Sequence, residues 1–163
     1  MVDGVHEIRC NTGYRISPTS ACATGDYYDN DDVNFTVIPE YISITLENSP
    51  IDFGDSANPG SDVAAVNNPL IITIDTNVNF DITTKANSTE FTSGEDTFPV
   101  SNMNWQTSLS SPLTSYTTEE AEVYSNQASP GGDFNIYHRL SVPTAQAPGS
   151  YNVGVVITAK KSE

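Results

Sequence analysis

The chain has 163 residues, with 21 acidic side chains against six basic ones and a formal charge of -15. A field of that sign repels phosphate backbones and anionic lipid headgroups, so it argues against a nucleic-acid partner and against direct attachment to an anionic membrane, and it favours cations. The length suits one domain able to bury roughly 70% of its unfolded surface without a structural metal, and the abundance of Thr, Ser and Asn over Lys and Arg favours strands and turns over helices.

Residues 1–32 read as an N-terminal extension, part of the following domain or donated from it. Val2, Val5 and Ile8 lie in a short, weakly apolar run able to form a strand. Cys10 and Cys22 follow with eleven residues between them. A disulfide here would close a loop worth about 3 kcal/mol and would place the chain in an oxidising compartment; two buried free thiols are the alternative, and the pair has neither zinc-site nor CxxC spacing. GDYYDNDD then brings Asp26, Asp29, Asp31 and Asp32 together. Such carboxylate density suits calcium, although the spacing is not that of an EF-hand, and a solvated acidic loop is the other reading.

From residue 33 onward the pattern is that of a sandwich. Val33, Phe35 and Val37 alternate into a strand that Pro39 ends. Ile42, Ile44 and Leu46 share one face of a strand over 41–47, because a strand alternates its side chains between two faces. A turn-rich connection over 48–67 uses Ile51 and Phe53 as anchors and NPG at 58–60 as a turn. Strands over 69–75 and 77–85 follow, joined tightly at Thr76 and Asn77, and NSTEFTSGEDTFP reads as a polar loop.

Met103 and Trp105 alternate on a short strand, with Trp105 read as a core plug whose N–H is satisfied or else as a surface aromatic for stacking a sugar. Residues 108–118 read as loop or edge, Val123 marks another short strand, and SPGGD at 129–133 is a turn. Phe134, Ile136, His138 and Leu140 share a face, as do Tyr151, Val153, Val155 and Ile157, in what reads as a closing hairpin. Eight or nine short strands without an amphipathic helix predict an all-β, two-sheet sandwich over 33–163, immunoglobulin-like or jelly-roll.

IDFG at 51–54, NPG at 58–60, NPLIITIDTNVNFDI at 68–82, FPVSNMNW at 98–105 and APGSYNV at 147–153 resemble segments of secreted archaeal and bacterial surface sandwiches, in the style of camelysin and TasA-type fibre or pilus subunits. The resemblance covers roughly residues 41–158. It implies an extracellular or cell-surface structural protein that assembles into filaments by donating a terminal strand, with self-association or other surface proteins as partners. The cysteine loop and the acidic stretch depart from that pattern.

Catalytic patterns are sparse. GxSxG and HExxH are absent, and His6 and His138 fall in different strands, His138 as a core-lining or edge-facing residue. A non-enzymatic role is therefore expected. Glu119, Glu120 and Glu122 or the aspartates would have to meet in space to serve a hydrolase, and a calcium-dependent carbohydrate-binding or adhesion module is the other alternative. Two sequons, at Asn34 and Asn87, offer glycosylation sites. No secretory leader and no apolar run near eighteen residues is present, so direct membrane insertion is not expected; Met1 reads as an added start or a trimmed mature end, with a removed leader or anchor as the corresponding expectation.

Overall fold

The computed structural model describes residues 38–163 apart from residue 56. The chain divides into two units, Met1–Pro39 and Glu40–Glu163, and the description below concerns the second. Eleven strands are present among the described residues: β1 (Ile42–Glu47), β2 (Asp62–Ala64), β3 (Leu70–Thr76), β4 (Phe80–Ala86), β5 (Glu90–Ser93), β6 (Asp96–Pro99), β7 (Met103–Gln106), β8 (Thr114–Ser115), β9 (Ala121–Gln127), β10 (Gly131–Ser141) and β11 (Val155–Lys161). The only helical element among the described residues is a 3-10 turn over Val100–Asn102, so no helix there is long enough to cross a membrane.

The fold is an all-β sandwich of antiparallel sheets. One sheet runs β1-β3-β10-β7-β8, with β2 also paired to β10; a second runs β11-β4-β9; and β5 with β6 forms a separate hairpin. β10 is long enough to take several partners in succession: β3 along Gly131–Ile136, then β7 along Tyr137–Leu140. Because β7 occupies one edge of Arg139 and Leu140, β2 must bond the other edge and continue the line of β3.

The alternation read from the sequence sets the core. Leu70, Ile72, Ile74 and Thr76 turn inward from β3, and Phe80, Ile82, Thr84 and Ala86 do so from β4. Ile72, Phe80, Ile82 and Ile136 are fully enclosed in one cluster, with Val155 and Ile157 of β11 packed against it. Phe134 meets Phe80 edge-on at 5.6 Å between ring centroids, a geometry that aromatic quadrupoles favour.

Several elements differ from expectation. NSTEFTSGEDTFP is a β-hairpin rather than a loop: Phe91 lies directly opposite Phe98, and their rings stack at 4.7 Å. The polar letters between them occupy the other face and the turn, where Gly94 takes φ 63°, so the short alternation hides inside a polar run. β3 and β4 are sequential yet pair with strands of different sheets, as are β10 and β11, so the expected closing hairpin is a crossover between layers. Trp105 is the expected core plug at 6% exposure, which rules out a sugar-stacking surface, but its indole N–H has no hydrogen-bond partner.

The first strand departs most. Ile42, Ile44 and Leu46 do share a face, opposite Thr76, Ile74 and Ile72 of β3. Yet only Ile42 is half-buried, while Ile44 and Leu46 are each 41% exposed.

Candidate functional site

Two places combine chemistry with geometry: a polar pair inside the core and the open side of β1. The first is built from β10, β4 and the segment leaving β8. His138 is completely buried on the inner face of β10, directly across from Trp105. Its Nε2 lies 2.9 Å from the hydroxyl of Tyr116, itself buried, and the ring planes are nearly parallel, 12° apart. Thr84 stands 3.4 Å from that hydroxyl and 3.3 Å from the Val156 carbonyl.

The backbone of His138 is held as firmly as its ring. Its N–H donates to Oδ1 of Asn68 at 2.8 Å and its carbonyl accepts from Nδ2 of Asn68 at 2.9 Å, so one side-chain amide bonds both backbone groups just before β3 begins. His138 Nδ1 has no partner. Burial drives the imidazole down to about 4 and the Tyr116 phenol up to about 12, so both are neutral at ordinary pH. General acid–base work needs groups poised near the working pH; this pair is a structural hydrogen bond. Two surface depressions, one against Asp81, Asn126 and Ser162 and the other against Glu40, Tyr41 and Val78, are open and reach neither ring.

The second place follows from unequal sheet widths. The layer β11-β4-β9 is narrower than the sheet it covers. Near the start of β1, Lys161 of β11 donates to Glu40 at 2.6 Å and ties the two layers, while the Tyr41 hydroxyl donates to Asp75 of the neighbouring β3 at 3.2 Å and the Tyr41 N–H donates to Asn77 at 3.0 Å. Exposure then rises along this face from Ile42 to Ile44 and stays level at Leu46. Ile44 and Leu46 therefore face the inner side of their sheet with little above them.

β1 also has an open edge, since it pairs only with β3 among the described strands. From Tyr41 to Leu46 it carries no charge and no proline, the devices that usually blunt such an edge. Among the other described edges, β9 carries Glu122 and irregular register against β4 and β8 is two residues long, whereas β11 is charged only at its end, Lys160 and Lys161, and is uncharged over Val155–Ala159.

Of the residues singled out from the sequence, Val2, Val5, Ile8, Cys10, Cys22, Asp26, Asp29, Asp31, Asp32 and Asn34 lie outside the described residues. Asn87 is exposed, with its Oδ1 accepting from the Gly154 N–H at 2.9 Å. Glu119, Glu120 and Glu122 are all exposed around the start of β9, and Glu120 pairs with Lys85 at 3.6 Å. No group of three or more His, Cys, Asp or Glu side chains able to hold a metal occurs among the described residues. Sequence reasoning missed Tyr116, placed in loop or edge, whose enclosure depends on the turn that follows β8.

No family model matches the chain and no curated protein matches it. Among solved structures it is similar to a family 123 glycoside hydrolase from Clostridium perfringens, described in a structural analysis of glycolipid glycan hydrolysis, at 14% identity and a TM-score of 0.40. The match covers 75% of this chain and 25% of that one, so the chain spans about a quarter of that protein's length. A likeness of this degree carries no reading of activity.

Proposed function

We propose that this protein is an extracellular, non-enzymatic structural subunit of a cell surface or filament, assembled by β-strand donation. The observation that carries the reading is the uncovered inner face at Ile44 and Leu46, beside the narrower layer whose edge strand is β11. A strand added at such an edge gains main-chain hydrogen bonds and sets its apolar side chains over an exposed apolar face. The donor is the N-terminal run with Val2, Val5 and Ile8. The strong acidity supports the same reading, since it keeps an exposed protein soluble.

Electron microscopy of the purified full chain, beside a variant with Val2→Asp, Val5→Asp and Ile8→Asp, tests it. Filaments or lattices from the parent and none from the variant are expected. A parent chain that stays monomeric at every concentration, with or without calcium, refutes the proposal.

A further inference from the structure

The order Tyr41-Ile42-Ser43-Ile44-Thr45-Leu46-Glu47 has a symmetry that β1 does not need for pairing with β3. About Ile44, one step in either direction meets a hydroxyl residue and two steps meet an aliphatic one. Two-fold antiparallel pairing has the same symmetry, because residue i of one copy faces residue j of the other and j faces i. We propose that β1 is a self-pairing edge, joining two copies of this chain antiparallel about Ile44 into one continuous sheet.

In that register Ile44 faces Ile44, Ile42 of each copy faces Leu46 of the other, and Ser43 faces Thr45. The flanking charges also fit. Glu47 falls opposite Tyr41 and Glu40 opposite Asn48, so no two carboxylates meet in a molecule of charge -15. Glu40 is further neutralised by Lys161 of its own chain. Like charges placed directly across an antiparallel pair would be destabilising, and this register avoids them.

Antiparallel continuation of a sheet sets the two-fold axis normal to it, so the inner faces of both copies lie on the same side. Ile42, Ile44 and Leu46 of one copy then adjoin those of the other, and the two exposed aliphatic residues, each 41% accessible alone, gain cross-strand neighbours. The strand is held ready for this. β3 pairs with all six of its residues, and Asn48, at φ 61°, turns the chain away beyond Glu47 while donating to the Pro69 carbonyl at 2.9 Å.

This inference rests on the assembly reading for its purpose and on β1 alone for its geometry, so the test separates the two. The full chain is followed by sedimentation and native mass spectrometry over a wide concentration range. Ser43 and Thr45 are exposed and outward-facing, and Ser43 lies opposite Asp75 of β3, so a lysine is the charge that position accepts without repulsion inside its own chain. Ser43→Lys with Thr45→Lys places like charges across both symmetry-related contacts and should weaken the dimer by about tenfold. Ser43→Lys with Thr45→Glu places opposite charges there and should restore it. The Val2→Asp, Val5→Asp, Ile8→Asp variant should dimerise as the parent does.

A parent chain that never dimerises, a dimer indifferent to both charge pairs, or one lost with the N-terminal variant overturns the self-pairing. A charge-sensitive dimer that builds nothing larger supports it while counting against strand donation.

Discussion

Acid should loosen this core, and His138 is the reason. Its folded-state pKa is lowered by burial from 6.5 to about 4, so the folded protein holds it neutral while the unfolded chain protonates it as the pH drops. The sign follows: the stability tied to the neutral imidazole is fully present above pH 6.5 and is lost as the pH falls towards 4. By linkage the loss is about 1.4 kcal/mol at pH 5.5 and about 3 kcal/mol at pH 4. The groups facing the ring are the neutral Tyr116 phenol and, directly across on β7, Trp105; no carboxylate is bonded to it to offset the charge. Asp81, whose carboxyl is held below its usual 3.8 by the Asn126 N–H and the Ser162 hydroxyl, loses its contribution only at lower pH, so the two windows are separable. Urea titrations at pH 7.5, 5.5 and 4, run on the parent and on His138→Gln, isolate the histidine. The parent should lose stability between the first two points faster than the variant does. Equal slopes refute the assignment, as does a His138 ring that titrates near 6.5 by NMR.

Tyr116→Phe removes the one partner of His138 Nε2 and should cost about 1–3 kcal/mol in denaturant midpoint. Gly131→Ala should be worse than Gly94→Ala: at φ 98° a Cβ on Gly131 would fall onto the Ile74 carbonyl, whereas at φ 63° Gly94 has open space around it. The second change should cost about 1–2 kcal/mol for the left-handed backbone alone, the first clearly more, and thermal melts of the two rank them. Phe98→Ala empties a site packed between Phe91 and Tyr151 and should cost about 3–5 kcal/mol, with loss of amide-exchange protection concentrated in β5 and β6.

Alternation of apolar and polar letters is a local property, and it was enough to establish the all-β class of the described residues and the inward sets of β3, β4 and β10, whereas it left Trp105 and His138 each with a buried and an exposed alternative that the packing decided. A period of two leaves little choice once one face must avoid water. The same logic reached the apolar set of β1 but not its exposure, because burial depends on how far the opposite layer extends. That extent is decided by β11 and β9, more than seventy residues away along the chain. Which consecutive strands pair and which cross between layers was likewise invisible, since Thr76 and Asn77 make a tight connection in either case. The hairpin at Phe91 and Phe98 and the contact of Tyr116 with His138 needed the folded chain, for a single aromatic in a polar run shows its partner only when another segment closes over it. Local pattern thus set what each strand presents, and tertiary packing decided which of those faces would be covered and which left open at Ile44 and Leu46.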